Sequence, residues 1–340
     1  MLQSAAIKQE RRRRATDPDT PQFYQIAASD KQSPRDELIA GLLQANARMA
    51  PKFLYDDLGS HLFEAITCLD EYYPTRTEAA IFDQYREEIA RSVGPGCAMI
   101  DLGAGNCAKA MRLFDSLQPA RYVAVDISVT YVRRSVERLA AAFPRIAMSG
   151  VGMDFSESLD LPPALQAAID ADEGTTLHFY PGSSIGNFTP PQALGFIRRI
   201  REQSPGGGLL IGVDLVKPAD QLRRAYDDAL GVTAAFNRNI LRHANRLIGA
   251  DFEPAQWRHV ALYNEVLSRV EMHLESSSAC LVRWDGGERR FADGESIHTE
   301  SACKYKLERF TTLLRQAGFG QIRHWTDPAQ RYAVFHALAG

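Results

Sequence analysis

Five apolar segments follow one another through the middle of this chain, with helical stretches between them. They are "CAMIDLG" (97–103), "RYVAVDIS" (121–128), "IAMSGVGMD" (146–154), "TTLHFYPGS" (175–183) and "GLLIGVDLV" (208–216). Strands that alternate with helices of about 10–15 residues build βαβ units and a parallel sheet. Right-handed crossovers then make the sheet doubly wound. The 340 residues, 45% of them hydrophobic, supply ample core. At roughly 150 residues per domain they make about two domains, or one with a large insertion.

After Val216 the rhythm breaks. "ADQLRRAYDDALGVTAAFNRNILRHANRLIG" reads as helices around a turn at Gly231. Period-two stretches follow, "HVALYNEV", "SRVEMHLESSSACLVRW" and "ERRFADGESIHTES", with "DGGE" as a turn between antiparallel strands. "KLERFTTLLRQAGF" is an amphipathic helix closed by Gly318, and "GQIRHWTD" and "RYAVFHALA" are two last strands. Residues 217–306 therefore read as an insertion before the last helix of the sheet. There is no internal repeat.

Net charge is −3, which argues against nucleic acid as the main partner. No apolar stretch of about 20 residues is present to span a membrane. The first 22 residues, with four arginines at 11–14, lack the apolar core of a signal peptide and read as a disordered leader. The five cysteines match no zinc spacing and their odd number fits no complete disulfide set, so reduced thiols in the cytoplasm are expected and no metal is.

"DLGAGNCAKAMRL" follows the first apolar segment and opens a helix. Gly103 and Gly105 let a ligand approach the backbone, and Asp126, about 21 residues beyond the loop, suits ribose hydroxyls. Through Ala108 the segment also satisfies G-x-G-x-x-A, which leaves a nicotinamide cofactor open. Asp101 favours another ligand. A carboxylate just before the turn repels a pyrophosphate, but it suits the ammonium and sulfonium of S-adenosylmethionine. Asp154 and Phe155 end the third strand, where a carboxylate can accept from an adenine amine beside an aromatic face.

"FYPGSSIGNF" (179–188) ends the fourth strand in small residues and a lone amide. It sits beside the switch point of an open α/β sheet, where ligands bind. Asn187 can hold a substrate carboxylate or amine, or it can cap the next helix. An Asn after this strand also occurs in amino-methyltransferases of nucleic-acid bases, but their compact Asn-Pro-Pro-Tyr form is absent. Tyrosines concentrate in "EYYPTRTE" (Tyr72, Tyr73) and "RAYDDALGVTAAFN" (Tyr226), where their faces and hydroxyls suit an amino acid or a cation. Core packing at a domain junction is the plainer use of the same residues. Glu300 lies in "TESACKYK".

Taken together the chain resembles the L-histidine Nα-methyltransferases of ergothioneine biosynthesis. The resemblance runs from about residue 50 to 338. It is carried by "YDDLGSHLFEAIT", "EYYPTRTEA", "GSSIGN", "VDLVKPADQLRRAYDDALGVTAAFNRN", "VEMHL" and "TESACKY". It implies an α/β fold: a doubly wound, mostly parallel, seven-stranded class I methyltransferase sheet with a second, α+β substrate-binding domain inserted. Residues 77–216 and 307–340 would hold S-adenosylmethionine, and residues 23–76 and 217–306 the substrate. Lys109 would join Asp101, Gly103, Gly105, Asp126, Asp154 and Phe155 at the methyl donor.

By the same resemblance Tyr72, Asn187 and Tyr226 would hold the substrate carboxylate and its neighbourhood, while Tyr55 and Phe63 flank the amine. Tyr55, Tyr72 and Asn187 would do the positioning. Gly182, Thr233, Phe236 and Met272 would shape the pocket, and Glu300 would accept from the imidazole. The family usually has serine two residues after that glutamate. Here Ala302 stands there, so either Ser301 substitutes or the ring has a single anchor. The implied activity is trimethylation of the histidine α-amine by a monomeric enzyme, without nucleic acid, membrane or metal. Another amino acid, for example an aromatic one, is the alternative substrate.

Overall fold

The computed structural model describes residues 20–26, 33–127, 129–204 and 206–339. The arginine-rich stretch of the leader lies outside them. The chain opens with β1 (Gln22–Gln25), α1 (Pro34–Leu42), a 3₁₀ turn at Pro51–Leu54, α2 (Asp57–Thr67) and α3 (Tyr73–Val93). Then β2 (Ala98–Leu102), α4 (Ala108–Leu117), β3 (Arg121–Asp126), α5 (Val129–Ala142), β4 (Ala147–Gly152) and α6 (Pro163–Asp170) alternate. The alternation continues through β5 (Thr176–Tyr180), a 3₁₀ turn at Ser184–Asn187, α7 (Pro190–Glu202) and β6 (Gly208–Asp214).

These strands form one sheet of eight, in the order β1-β4-β3-β2-β5-β6-β13-β12, where β12 is Phe319–Thr326 and β13 is Tyr332–Ala339. Strands β1 to β6 pair in parallel, and β13 runs antiparallel between β6 and β12. The expected seven-stranded sheet is thus corrected to eight. Gln22–Gln25, assigned by sequence to the leader and the substrate unit, instead extends the sheet edge beside β4. A run of four residues with two glutamines carries too little apolar signal to announce a strand.

Strands β2 to β6 read as continuous apolar runs because both sheet faces are covered. Along β2, Ala98, Ile100 and Leu102 enter one buried cluster, and Met99 enters the other. The chain reverses order at β2, with β3 on one side and β5 on the other. Loops leaving the carboxyl ends of these two strands therefore flank a crevice.

Beyond β6 come α8 (Ala219–Tyr226) and α9 (Val232–Ile248), divided at Gly231, whose φ is 74°. β7 (Trp257–Asn264), β8 (Arg269–Ser276) and β11 (Ser296–Cys303) make an antiparallel sheet of order β11-β8-β7. β9 (Cys280–Trp284) and β10 (Gly287–Phe291) form a hairpin across the DGGE turn. A third buried cluster draws Phe53, Tyr72, Tyr226, Phe236, Met272 and Ala302 together from these elements and from residues before α3. The final helix α10 (Leu307–Gln316) ends with Gly318 at φ 98°, its N–H donating to Arg315 O.

Candidate active site

The loop after β2 makes the floor of the crevice. Gly103 and Gly105 have φ of 75° and 53°, conformations that L side chains rarely adopt. A Cβ on Gly105 would meet nothing within 4 Å, so open space lies above it. The Gly105 N–H donates to Asp126 Oδ2 at 3.0 Å, which ties the loop to the end of β3. The ring of Phe155 lies against Gly103, 3.6 Å from where its Cβ would stand. Asp101 is 1% exposed and accepts from the Tyr122 hydroxyl at 2.7 Å, while its other oxygen has no hydrogen-bond partner. Burial pushes its pKa up to about 7, against the Tyr122 hydrogen bond and the attraction of Lys109. An unpaired buried carboxylate oxygen, an open glycine loop and an aromatic face fit a cationic nucleoside. Five of the seven residues assigned to the donor, Asp101, Gly103, Gly105, Asp126 and Phe155, thus gather here.

Lys109 reaches the same place from α4. Its Nζ is 2.9 Å from Glu78 Oε2. The other Glu78 oxygen accepts from the Gly182 N–H and the Tyr332 hydroxyl, each at 2.8 Å. Gly182, with φ 80°, lies so close that a Cβ would stand 2.6 Å from Lys109 Nζ. Glu78 was not singled out from sequence, although it closes the stretch EYYPTRTE; one buried carboxylate here positions both Lys109 and the loop after β5.

Asp154 is engaged. Its Oδ2 pairs with Lys52 at 2.8 Å, and its Oδ1 accepts from the Ser156 N–H at 3.0 Å and the Ser156 hydroxyl at 2.5 Å. Those hydrogen bonds outweigh burial and hold its pKa below the carboxylate range. Lys52 also pairs with Glu37 at 2.7 Å and Glu157 at 3.5 Å. Twelve positions from Lys52 toward the carboxyl end, α2 is fastened too, where Asn106 donates to Glu64 Oε1 at 2.8 Å. The segment bearing Tyr55 and Phe63 is thereby pinned across the crevice at two points.

Behind it stands a run of aromatic rings. Phe236 and Tyr55 have centroids 5.5 Å apart, Tyr55 and Phe63 5.6 Å, Phe63 and Tyr72 6.1 Å, and Tyr72 and Tyr226 6.2 Å. The hydroxyls of Tyr55 and Tyr72 make no hydrogen bond among the described residues. Burial raises the pKa of all three tyrosines, and Glu300 adds to it in each, so this carboxylate faces the same space. Met272 sits opposite Glu300 in the β8–β11 register. Thr233 is one turn before Phe236 on α9, its N–H bound to Asp228 Oδ1 at 2.7 Å. Glu300 is 8% exposed, and burial raises its pKa to about 7 against the pull of Lys304.

The turn that carries Asn187 lies against β11, the strand of Glu300, because Gly186 packs on its backbone. A Cβ there would meet Cys303 O at 2.9 Å. Helix α7 begins at Thr189, whose N–H and hydroxyl donate to Gln192 Oε1 at 3.0 and 2.7 Å. Asn187 is therefore not its cap, and its half-buried amide makes no hydrogen bond among the described residues. Ser301 is the correction to the expected site. Glu300 and Ser301 are consecutive paired residues and face opposite sides of β11. The Ser301 hydroxyl lies 3.0 Å from His298 Nε2, away from the pocket, while Ala302 returns to the Glu300 side.

Sequence reading also missed the charged cluster beneath the tyrosines. Asp214, fully buried at the end of β6, meets Lys304 at 2.8 Å, Lys217 at 2.5 Å and the Tyr73 hydroxyl at 2.7 Å. A carboxylate inside the run GLLIGVDLV was the available signal. No group of three His, Cys, Asp or Glu side chains that could hold a metal occurs among the described residues, and none of their helices is long and apolar enough to cross a membrane.

A family model for histidine-specific, S-adenosylmethionine-dependent methyltransferases matches residues 34–339. The histidine N-alpha-methyltransferase of Mycolicibacterium smegmatis is 39% identical over 322 residues, 93% of this chain and 98% of that protein. The histidine N-alpha-methyltransferase of Mycobacterium tuberculosis is 36% identical over 88% of this chain and 93% of its own length. Ergothioneine biosynthesis protein 1 of Neurospora crassa is 31% identical over 80% of this chain, which spans 31% of that longer protein. With a family model matched over residues 34–339 and a relative 39% identical across 93% of its length, this chain belongs to the family of histidine-specific, S-adenosylmethionine-dependent methyltransferases.

Proposed function

We propose that the protein transfers three methyl groups in turn to the α-amine of L-histidine, giving the betaine, as the first step of ergothioneine biosynthesis. The observation that carries this reading is the cluster of Tyr55, Phe63, Tyr72, Tyr226 and Phe236, with Glu300 close enough for its charge to act on all three tyrosines and the turn of Asn187 packed on the same strand β11. S-adenosylmethionine, when bound, supplies an electrophilic methyl group on a sulfonium. Asp101, Gly103, Gly105, Lys109, Asp126, Asp154 and Phe155 would hold it.

The protein's own work is positioning. A free α-amine has a pKa of about 8, so a neutral fraction with a usable lone pair exists near pH 7. Asn187, Tyr72 and Tyr226 anchor the carboxylate, and Glu300 accepts from the imidazole, so the amine is aimed across the gap toward the donor. Fixing that approach supplies much of the acceleration. The rings that flank the amine exclude water and tolerate a growing, finally quaternary, cation. Each amine proton leaves to solvent before the next transfer. Ala302 leaves the imidazole with Glu300 as its anchor on this side. The monomethyl and dimethyl forms of histidine are substrates in the same pocket. One chain carries both halves of the site, which suits a monomer, and five free cysteines suit a reducing cytoplasm.

Calorimetric titration of protein saturated with S-adenosylhomocysteine tests the substrate. Histidine and its dimethyl form are expected to bind, and tryptophan or phenylalanine to bind at least tenfold more weakly. Equal or tighter binding of an aromatic amino acid would move the specificity away from histidine.

A further inference from the structure

Tyr226 differs from its neighbours Tyr55 and Tyr72 because its hydroxyl has a partner. Lys304 Nζ lies 2.8 Å from the phenol oxygen. An ammonium can only donate, so the oxygen accepts and the phenol proton points elsewhere. No other hydrogen bond to that hydroxyl exists among the described residues. Lys304 is 4% exposed and held by Asp214 at 2.8 Å. Asp214 is shared with Lys217 at 2.5 Å and accepts from the Tyr73 hydroxyl at 2.7 Å, while its own N–H donates to the Ser183 hydroxyl at 2.9 Å. Both ammoniums share Asp214, and Glu300 also feels the charge of Lys304.

We propose that Lys304 is a positioning residue: held by Asp214, it fixes the Tyr226 hydroxyl as a donor aimed at the substrate carboxylate, so that an amino acid is selected over the matching amine. This rests on the reading of Tyr226 as a carboxylate contact. Lys304 touches neither substrate nor donor. Its effect passes through one phenol, which separates it from a residue that merely fills the core.

The test is a double-mutant cycle on binding to protein saturated with S-adenosylhomocysteine. Histidine is compared with histamine, which keeps the ring and the amine but lacks the carboxylate. Tyr226→Phe and Lys304→Met are each expected to weaken histidine by about 10–100-fold, the range for a hydrogen bond to a charged group. Histamine should change less than about threefold, and the double variant should be no more than about threefold weaker than either single one. Binding of S-adenosylhomocysteine reports that the fold is intact. Lys304→Gln keeps a donor without the charge and carries the cycle alone if the methionine variant does not fold. Two losses that multiply, or equal losses for histidine and histamine, would make Lys304 a structural residue and overturn the inference while leaving Tyr226 in place. Unchanged histidine binding in Tyr226→Phe would instead remove the reading on which it stands.

Discussion

Lys52 and Asp154 lie 2.8 Å apart, and this ion pair joins the 3₁₀ turn that precedes Tyr55 to the end of strand β4. Lys52 is shared with Glu37 and Glu157, and the four groups are only partly exposed. Lys52→Met leaves three carboxylates without their cation. The expected cost is about 1–2 kcal/mol, between the values for surface and buried pairs. Hydrogen exchange should quicken in residues 51–67 while the central strands stay protected. Unchanged exchange there would mean that the segment is held by its apolar contacts alone.

Asn187 and Thr189 are two residues apart and should behave oppositely. Thr189→Ala removes the cap of α7 and is expected to cost about 1 kcal/mol of stability, with little effect on histidine binding. Asn187→Ala removes an amide with no partner, so thermal stability should hardly move. Histidine should bind about 10–100-fold more weakly, with S-adenosylhomocysteine binding intact. A parallel loss of both ligands in Asn187→Ala would contradict the assignment.

Asp126 already accepts from the Gly105 N–H, so it shapes the loop in addition to the donor contact proposed for it. Asp126→Ala should weaken S-adenosylmethionine and S-adenosylhomocysteine alike, by about tenfold or more, because both carry the ribose. Loss confined to the sulfonium form would mean that Asp126 acts through charge and not through the hydroxyls.

Glu300 gives a pH signature. Its pKa is raised to about 7 by burial, so the folded protein disfavours the ionised form. A raised carboxyl pKa contributes stability that is complete below the unfolded value of about 4.3 and is lost as pH rises through 7. Glu300→Gln should therefore melt higher than the parent at pH 8, and the difference should shrink from pH 7 toward pH 4.3. Histidine affinity should show the reverse sense, rising through pH 7 in the parent as the acceptor ionises, with that step missing in Glu300→Gln. Melting curves that run parallel at all pH values would place Glu300 in a wetter setting.

The central sheet was legible because β2 to β6 are buried on both faces and spell largely apolar runs. β1 was not, since an edge strand of sequence QFYQ pairs on one side only. "SRVEMHLESSSACLVRW" reads as one alternating stretch but divides into β8 and β9, which enter different sheets. Ser301 failed for a specific reason. As the next residue of a strand it must face away from Glu300, and the bulge between His298 and Glu300, which has no signature in this run, puts His298 on its side. Tyr55, Phe63, Tyr72, Tyr226 and Phe236 do converge, although 181 positions separate the first from the last. That convergence was implied by family resemblance; tyrosine content alone favours core packing. Glu78, Asp214 and Lys304 were passed over because a charged residue shows its buried partner only after folding.

The most direct measurement is turnover with S-adenosylmethionine and an equimolar mixture of the twenty amino acids, read by mass spectrometry. The account predicts that histidine alone gains methyl groups and that the trimethylated form accumulates. Methylation of another amino acid in preference to histidine, or no methylated amino acid from protein that binds S-adenosylhomocysteine, would contradict it.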